Sequence, residues 1–399
     1  MRAYLPLSQN TRVFFKMGAK MEKYIGRYIE KSVIEDLKRK MVFVGGPRQS
    51  GKTTLAKHLC SQGGCAIEER YLNWDAAEDR EQIILERFPT APGLLILDEI
   101  HKYTRWRQVV KGLYDKRGHE ISVLVTGSAR LDYFRRGGDS LQGRYHFYRL
   151  LPLSLAELGV PTPTTVDALM AYGGFPEPFL LQSETETRRW SRDYRSRVIA
   201  GDLQDMENVQ DVGTLERMVL RLPNLVGSPL SLNALRQDLQ VAHQTVSRWI
   251  TMLENLYMLF RIYPFGAPHI RAVKKEAKHY HMDWCLVPES GPRFENLAAC
   301  HLLKWCFLLQ DTEGRDVELR YFRDVDRREV DFVVTEDARP VLFIECKQKD
   351  KSVSRALRYL KVRFPKVAAV QLYQGDGPDR IDRDGIRICP AHWFFAELA

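Results

Sequence analysis

Residues 41–54, MVFVGGPRQSGKTT, place an apolar run directly before the pattern Gly46-x4-Gly51-Lys52-Thr53. Glycines let backbone N–H groups curl around phosphate oxygens, and the helix that follows adds its positive amino end. A lysine at this position can reach the β- and γ-phosphates of a nucleoside triphosphate, and the threonine hydroxyl can ligate Mg²⁺. The stretch therefore predicts a strand, a phosphate-binding loop and a helix, which commits the surrounding chain to an α/β fold with a parallel sheet.

The predicted contacts to ATP run from this loop into the first helical turn. They are Gly46, Pro47, Arg48, Gln49, Ser50, Gly51, Lys52, Thr53 and Thr54. A second apolar run, LLIL, leads into Asp98 and Glu99, as a buried parallel strand does before the carboxyl edge of its sheet. We expect Thr53 to ligate Mg²⁺ directly, Asp98 to hold it through water, and Glu99 to polarise the attacking water.

A third buried strand is predicted at ISVLVT, which ends at Thr126 and is followed closely by Ser128. A polar side chain here can sense the γ-phosphate or can simply cap the next helix, and the pattern favours neither role. Four arginines that follow are candidates for an arginine finger, acting on the chain's own nucleotide or on that of a neighbouring subunit: Arg130, Arg135, Arg136 and Arg144. The spacing alone does not choose among them.

The remainder of the chain is long enough for further domains. The whole chain has 399 residues, more than one ordinary core contains. Its composition, with 44% hydrophobic and 28% charged residues, is that of a folded soluble protein. No apolar run reaches the ~18–20 residues of a membrane span, and the basic start lacks the apolar centre of a signal peptide. Seven scattered cysteines without CxxC spacing argue against disulfides and structural zinc. We therefore expect a cytoplasmic protein without a membrane partner.

The net charge of +9 is unevenly distributed. Residues 1–40 hold ten lysines and arginines against four acids, and residues 347–366 hold eight against Asp350 alone. Such runs are either solvated helix faces or surfaces that meet a polyanion, and both interpretations remain open on charge alone.

Helical spacing dominates residues 151–265, and within them two helices joined by a short turn are predicted for 232–253. Their apolar positions are Leu232, Leu235, Leu239, Val246, Ile250 and Leu253. The second helix would present side chains suited to phosphates and base edges, namely Gln244, Thr245, Ser247 and Arg248. A basic segment at 269–281 follows as a wing would. Contact with duplex DNA and packing as a lid or oligomer contact both fit this pattern.

The stretch EVDFVVTEDARPVLFIECKQ, residues 329–348, predicts two strands joined by a hairpin. Asp331 lies on the first strand, and Glu345 and Lys347 share one face of the second because side chains repeat every two residues. Antiparallel pairing would bring the two carboxylates together around Mg²⁺ or Mn²⁺, which prefer oxygen ligands. Lys347 would orient or help deprotonate a water for attack on a phosphodiester, and Glu295 on an upstream helix would support the site.

This D-x13-E-x-K arrangement is the PD-(D/E)XK nuclease pattern, and the whole chain resembles a family of bacterial and archaeal P-loop ATPases related to the AAA+ and STAND groups. The motifs that carry the resemblance are GPRQSGKTTL, LLILDEIHK, VLVTGSARL, SLQGRYHFYRLLPLSLAEL, YGGFPEP, KHYHMDWCL, FENLA and EVDFVV…FIECK. Members of that family join an AAA-type domain to a winged helix and a C-terminal domain with a restriction-endonuclease-like fold.

The resemblance implies an ATP site at Lys52, Thr53, Asp98 and Glu99, with Thr126 or Ser128 beside it. Arg144 falls in the family's GR element, which makes it the preferred phosphate-facing arginine. The resemblance also implies that Asp331, Glu345, Lys347 and Glu295 occupy a nuclease-like site. One departure is VIAGDLQD, where an arginine is expected before Asp202-Leu203.

Together these features predict an α/β multidomain protein. The expected parts are a basic extension at 1–24, a P-loop AAA-type ATPase domain at 25–150, a helical lid at 151–208, a winged helix at 209–268 and a PD-(D/E)XK nuclease-like domain at 269–399. The predicted function is ATP hydrolysis coupled to metal-dependent cleavage of DNA. The alternatives are a nucleotide-switched DNA-binding or signalling ATPase with a silent nuclease fold, and a purely structural partner in an assembly. A homo-oligomer is allowed, and an arginine finger acting in trans would require one.

Overall fold

The computed structural model describes residues 24–62, 70–128, 131, 141–203, 211–266 and 277–398, with the side chains of residues 202 and 203 left out. Nearly all of the basic extension predicted at 1–24, three of the arginine-finger candidates (Arg130, Arg135 and Arg136) and most of the basic segment at 269–281 lie outside these residues.

The amino-terminal sheet is parallel throughout and has the strand order β2-β3-β4-β1-β5. Its strands are β1 (Met41–Gly45), β2 (Tyr71–Asn73), β3 (Gly93–Asp98), β4 (Ile121–Thr126) and β5 (Tyr145–Arg149). Every residue of β1 is buried, because a parallel sheet is covered on both faces and β1 lies between β4 and β5. The strands predicted from the three apolar runs are thus confirmed.

Among the described residues, four helices lie on the two faces of this sheet: α1 (Glu30–Leu37), α2 (Lys52–Gln62), α3 (Ala77–Ile84) and α4 (Trp106–Arg117). Val33 and Leu55 pack on one face together with Val42 and Val44, whereas Ile83 and Val110 belong to the core of the other face. The two cores fix β1 from both sides and hold the loop that follows it at the carboxyl edge of the sheet.

A helical region follows, with helices α5 (Leu155–Leu158), α6 (Pro163–Tyr172), α7 (Pro176–Leu181), α8 (Glu184–Arg197) and α9 (Val212–Arg221). Further helical turns, of 3-10 or π type, occupy Ile100–Lys102, Val198–Leu203, Leu222–Leu225 and Trp284–Leu286. The starts of α6 and α8 are capped by Thr162 and Ser183, whose side-chain oxygens accept N–H groups of the first turn. Proline in the first turn of α6 and α7 fits the same rule, since no N–H is needed there.

The two helices predicted for residues 232–253 are present as α10 (Leu232–Leu239) and α11 (His243–Asn255). Leu235, Val246 and Ile250 are buried, as the spacing predicts. The helical spacing expected as far as residue 265 is wrong at its end, because LFRIYP forms strand β6 (Leu259–Pro264), which pairs antiparallel with β7 (Lys278–His281). A strand is selected there because β8, much later in the chain, offers it a partner.

The carboxyl-terminal sheet has eight strands in the order β12-β13-β11-β10-β9-β8-β6-β7. Its further strands are β8 (Val317–Arg323), β9 (Glu329–Glu336), β10 (Arg339–Lys347), β11 (Ala368–Tyr373), β12 (Arg380–Ile381) and β13 (Arg387–Pro390), and its helices are α12 (Ser290–Glu313), α13 (Arg355–Arg363) and α14 (Ala391–Ala396). Asp337 and Ala338 both have positive φ, at 49° and 61°, which makes the predicted hairpin a tight two-residue turn.

The order of elements from α12 to β11 is helix, three antiparallel strands, helix and a fourth strand parallel to β10. Helix α12 covers one face of these strands and α13 covers the other. Strands β6 and β7 extend the same sheet through the pairing of β6 with β8. The domain boundary expected at 268/269 therefore runs between two strands of one continuous sheet.

One hydrophobic core joins the helical region, α10, α11 and one face of the carboxyl-terminal sheet. The amino-terminal sheet is tied to it by Arg149, whose guanidinium lies 3.5 Å from the centre of the Phe307 ring and donates to Asp311, both on α12. Among the described residues, none of the helices combines the length and the apolar character needed to cross a membrane.

Candidate nucleotide and acidic sites

Strand register explains why three distant segments meet at the carboxyl edge of the first sheet. Val44 of β1 pairs with Thr126 of β4, and Thr126 pairs in turn with Asp98 of β3. The loop after β1 therefore begins next to the ends of both neighbouring strands. Gly46, with φ of 148°, must be glycine, because a side chain there would collide with the carbonyl oxygen of Leu150.

The phosphate-binding loop curls over Lys52, the first residue of α2. Lys52 Nζ donates to the carbonyl oxygens of Gly46 (3.2 Å) and Pro47 (2.6 Å) and is almost fully buried. Burial lowers the pKa of Lys52 to about 8, against the opposing pull of Glu99 and Asp98. Burial disfavours the charged form of Lys52, whose hydrogen-bond partners are two neutral carbonyl oxygens. A phosphate anion beside Lys52 would therefore stabilise its ammonium form.

Asp98 is the meeting point of three hydroxyl groups. Thr53 Oγ1 and Tyr71 Oη each donate to its Oδ2 at 2.7 Å, and Thr126 Oγ1 donates to its Oδ1 at 2.5 Å. The neighbouring Thr53 hydroxyl and Asp98 carboxylate are the donor pair that Mg²⁺ uses together with waters and phosphate oxygens. The residues present therefore fit the implied Mg²⁺. Thr126 touches this pair directly, whereas Tyr71 is a contact that the sequence motif does not reveal.

Glu99 follows Asp98 in the left-handed region, with φ of 54°. Its Oε2 lies 3.6 Å from both Lys102 Nζ and His101 Nε2, and Lys102 also pairs with Asp75 at 2.6 Å. Burial raises the pKa of Glu99, although Lys102 and Lys52 oppose the rise. Ser128 Oγ lies 3.5 Å from the same His101 nitrogen, so Ser128 reaches Glu99 through this imidazole.

Lys52, Asp98 and Glu99 line a cavity of about 670 Å³ that the helical region completes. Arg48, Gln49, Gly51, Lys52, Thr53 and Thr54 form its loop side. Opposite them lie Pro176 and Glu177 of α7 and Tyr194 and Arg197 of α8. The YGGFPEP segment thus forms part of the wall, and Arg197 is a cationic wall residue that sequence reasoning missed.

A second missed residue, Arg27, braces the loop from behind. Its guanidinium donates to the carbonyl oxygens of Ser50 and Leu151, each at 2.6 Å, and to Glu157 Oε1 at 2.8 Å. Glu157 also pairs with Lys304 of α12. Burial lowers the pKa of Lys304 to about 7. Burial also disfavours the charged form of Glu157, but the neighbouring cations Arg27 and Lys304 outweigh it and lower the pKa of Glu157 to about 2. Because arginine keeps its charge, Glu157 retains one cationic partner in either state of Lys304.

Arg144 lies at the opposite edge of the sheet. Its carbonyl oxygen accepts the N–H of Met41 at the start of β1, and its guanidinium pairs with Asp115 at 2.7 Å. Since the phosphate-binding loop follows the other end of β1, roughly 15 Å away at strand rise, Arg144 lies away from the loop of its own chain in this structure. A contact with the nucleotide of a neighbouring subunit stays a prediction.

The acidic residues of the carboxyl-terminal sheet do come together. Ile344 of β10 pairs with Phe332 of β9, so the next position along sets Glu345 opposite Asp331. Asp331 Oδ2 accepts the N–H of Cys346 at 2.8 Å, and Lys347 Nζ donates to Glu345 Oε1 at 2.6 Å. Burial, then Glu295 and Glu345, raise the pKa of Asp331 well above its ordinary value. Within the described part of the chain, Glu345 Oε2 is buried without a hydrogen-bond partner.

A buried lysine completes this acidic cluster, which we define as Glu295, Glu329, Asp331 and Glu345. Lys278 of β7 lies 2.6 Å from Glu329 Oε1, 3.1 Å from Glu295 Oε1 and 3.9 Å from Asp331 Oδ1. Tyr280 Oη donates to Glu295 Oε1 at 2.6 Å. Sequence reasoning missed Lys278, because only the pairing of β6 with β7 and β8 brings it to the carboxylates.

The acidic cluster fits an ammonium better than the implied Mg²⁺ or Mn²⁺. Over the described ranges, no group of three or more histidine, cysteine, aspartate or glutamate side chains is arranged to hold a metal ion. Glu295, Asp331 and Glu345 are neighbours, but ammonium groups of Lys278 and Lys347 already lie within ion-pair distance of them.

The exposed face of α11 carries the residues expected to read nucleic acid. Gln244 and Arg248 are exposed, and Thr245 and Ser247 are half-buried beside them. The helix therefore presents a polar surface with at least one cation, although its apolar side is fixed in the core by Val246 and Ile250.

Three family models match consecutive parts of the chain. Residues 38–159 match an AAA domain, residues 164–289 match a domain of unknown function (DUF8612), and residues 290–394 match another (DUF4143). An uncharacterized protein of Haemophilus influenzae is 23% identical over 384 residues, covering 86% of this chain and 91% of its own length. One of Mycobacterium tuberculosis is 23% identical over 351 residues, covering 84% and 77%.

Among solved structures, the RuvB Holliday junction branch migration motor of Thermotoga maritima is similar at 19% identity, covering 59% of this chain and 90% of that one, with a TM-score of 0.31. A TM-score at this level is too low to bear on function. The AAA domain match agrees with the parallel sheet and its loop, so residues 38–159 have the fold of an AAA-type P-loop domain.

Proposed function

We propose that this AAA-type protein hydrolyses ATP in the cavity between its phosphate-binding loop and its helical region. The observation that carries the proposal is the bond from Thr53 Oγ1 to Asp98 Oδ2 at 2.7 Å, beside the buried ammonium of Lys52. Mg²⁺ held by Thr53 and, through water, by Asp98 would neutralise the charge of the phosphates. Lys52 would exchange its two carbonyl partners for β- and γ-phosphate oxygens.

Glu99 is the residue suited to orient and polarise the attacking water. It stands one position beyond Asp98 and lines the cavity. Lys102 and His101 hold its carboxylate at 3.6 Å, so a shift of either neighbour would free it for water. Arg197 approaches from α8, and closing this helix on the nucleotide would bring a second cation to the phosphates and exclude water.

Steady-state ATP hydrolysis tests the proposal. Glu99→Gln should bind ATP with near-normal affinity and lose about 100-fold or more of kcat, because only the polarisation of water is removed. Lys52→Ala should lose nucleotide binding itself. Glu86→Gln is the matched control, since Glu86 is also a glutamate with positive φ (52°) but is exposed and away from the cavity. Full activity in Glu99→Gln would contradict the proposal.

We infer that the partner of this ATPase is duplex DNA, engaged through α11. The support is the exposed position of Gln244 and Arg248 on a helix that is anchored by its apolar side. Arginine and glutamine on such a face suit phosphates and base edges. Regulation of this contact by nucleotide would make the protein a nucleotide-switched DNA-binding ATPase.

DNA binding measured across a salt series tests this assignment. Wild-type protein should bind duplex DNA with an affinity that falls steeply as the salt concentration rises. Arg248→Ala should reduce the slope of the logarithm of the binding constant against the logarithm of the salt concentration by about one. Arg188→Ala, which removes an exposed arginine of α8 paired with Glu184, is the control. Salt-independent binding, or equal losses in both variants, would remove α11 from the interface.

Metal-dependent cleavage of DNA is a second candidate function, favoured by one observation. Glu345 and Asp331 lie opposite each other with Lys347 beside them, and Glu345 Oε2 is buried without a described partner. If this candidate holds, supercoiled plasmid with Mn²⁺ should be nicked by wild type and not by Glu345→Gln. Glu336→Gln, in a half-exposed pair with Arg315 at the end of β9, is the control. Equal nicking by all three proteins would identify a contaminant.

A further inference from the structure

The acidic cluster already contains a cation, the ammonium of Lys278. This side chain is fully buried, with 0% of its surface exposed. Its Nζ makes a short ion pair with Glu329 at 2.6 Å and another with Glu295 at 3.1 Å, and it lies 3.9 Å from Asp331. Three carboxylates from α12 and β9 thus face one ammonium.

The ammonium and the carboxylates come from different parts of the chain. Lys278 lies on β7, within the segment that matches DUF8612, whereas all four acids lie in the segment that matches DUF4143. Tyr280, two residues along β7, reaches the same oxygen of Glu295 at 2.6 Å. The cluster is complete only because the β6–β7 hairpin extends the carboxyl-terminal sheet.

The position of two lysines decides what else the cluster can hold. Buried carboxylates are stabilised by a nearby cation, and Lys278 lies within ion-pair distance of Glu295, Glu329 and Asp331, while Lys347 pairs with Glu345. A divalent ion among the same oxygens would meet a fixed ammonium at ion-pair distance, where repulsion in a buried setting is strong. Among the described residues, Glu345 Oε2 is the oxygen of the cluster that is buried without a hydrogen-bond partner, whereas Lys278 lies against oxygens of the other three acids that Mg²⁺ or Mn²⁺ would need as ligands.

We propose that Lys278 is the resident cation of the acidic cluster and excludes Mg²⁺ and Mn²⁺ from it. The cluster then serves to lock β7 onto α12 and β9. This inference goes beyond ATP hydrolysis, which does not depend on it, and it opposes the second candidate function, which needs a metal at Asp331 and Glu345.

Mn²⁺ binding to the full chain without nucleotide, followed by electron paramagnetic resonance, is the test. The proteins are wild type, Asp331→Asn, Lys278→Met, and Lys278→Met combined with Asp331→Asn. Methionine keeps the length of the lysine stem and removes its charge. Arg315→Met, which removes the partner of half-exposed Glu336 at the end of β9, controls for charge removal elsewhere beside the same sheet.

We expect wild type and Asp331→Asn to bind Mn²⁺ equally weakly. Lys278→Met should bind one Mn²⁺ at least about tenfold more tightly, because the opposing ammonium is gone. This gain should vanish in the combined variant and be absent from Arg315→Met. A folded Lys278→Met without the gain would overturn the proposal.

The wild-type comparison stands even if Lys278→Met does not fold. Tight binding of one Mn²⁺ by wild type that Asp331→Asn abolishes would overturn the proposal directly, and equal weak binding by the two would support it. ATP hydrolysis measured on the same samples reports separately on the proposed function, so the two can fail independently.

Discussion

Three hydroxyl groups converge on one carboxylate at the candidate ATP site, and one of them belongs to no motif. Tyr71, at the start of β2, donates to the same oxygen of Asp98 as Thr53 does. Burial and the neighbouring Asp98 raise the pKa of Tyr71, so the phenol remains a donor throughout the physiological range. Tyr71 is therefore a positioning residue that fixes the carboxylate expected to hold Mg²⁺.

Replacing Tyr71 by phenylalanine should raise the Mg²⁺ concentration for half-maximal ATP hydrolysis about tenfold, the scale of losing a partner of a metal ligand. The value of kcat at saturating Mg²⁺ should change much less, because Tyr71 acts only through Asp98. A Mg²⁺ titration of ATPase activity measures both. Tyr114→Phe, whose hydroxyl donates instead to the carbonyl of Arg39, is the control. A loss of kcat with an unchanged Mg²⁺ requirement would contradict this role.

Residues with a local signature were predictable from sequence, and those set by tertiary contacts were not. Lys52, Thr53 and Asp98 stand at fixed positions around strand ends, so the motif alone places them together. Tyr71 and Lys278 acquire their partners through strand order, which the spacing does not encode. Arg144 shows the converse. The family resemblance favours it as a phosphate-facing arginine, but the length of β1 separates it from the phosphate-binding loop of its own chain.

At the scale of elements, Glu157 of the short helix α5 both caps the start of that helix and contacts other parts of the chain. Glu157 accepts the backbone N–H of Ser154 at 2.8 Å, which closes a capping box, and the same carboxylate pairs with Arg27 and Lys304. Its side chain is only 2% exposed. One glutamate thus fixes the start of a helix and links α12 to the segment that braces the phosphate-binding loop.

The stability that Glu157 contributes should depend on pH in a defined direction. Its pKa is about 2 in the folded protein and roughly 4.3 when unfolded, so folding favours the ionised form. The contribution, of the order of 3 kcal/mol, is complete above about pH 5 and is lost as pH falls toward 2.

Urea unfolding at pH 7 and pH 3 measures this effect. At pH 7 the free energy of unfolding of Glu157→Gln should be several kcal/mol lower than that of wild type. At pH 3 this difference between the two proteins should be roughly half as large. Glu35→Gln, an exposed partner of Lys38, should show little difference at either pH. A gap that does not change with pH would mean that the loss comes from packing alone.

Elements with strong local patterns were predicted correctly, and the exceptions have a common cause. The β9–β10 hairpin and helices α10 and α11 follow from alternation, turn residues and helical spacing. Strand β6 was expected to be helical, since LFRIYP continues the apolar run after α11. Its strand form depends on β7 and on β8, and the pairing with β8 spans more than fifty residues.

At the scale of the whole molecule, α12 connects the two candidate sites. Its 24 residues span about 36 Å. Glu295 near its start belongs to the acidic cluster, and Lys304 and Asp311 further along contact Glu157 and Arg149 of the ATPase side. Buried His301 accepts the N–H of Leu155 at 3.1 Å, and burial lowers the pKa of this imidazole to about 4, which keeps it neutral for that role.

Nucleotide binding should therefore slow backbone hydrogen exchange in α12. Arg27 donates to Ser50 in the phosphate-binding loop and to Glu157, which in turn binds Lys304, so a loop fixed by phosphates would fix this chain of contacts. We expect a non-hydrolysable ATP analogue to slow hydrogen exchange in residues 290–304 at least about fivefold, a modest coupling free energy. In Arg27→Met, the analogue should still bind but the slowing should disappear. Arg188→Met, on the exposed face of α8, should retain it. Equal slowing in Arg27→Met would mean that nucleotide reaches α12 by another route, for which the direct contact of Arg149 with Asp311 is the next candidate.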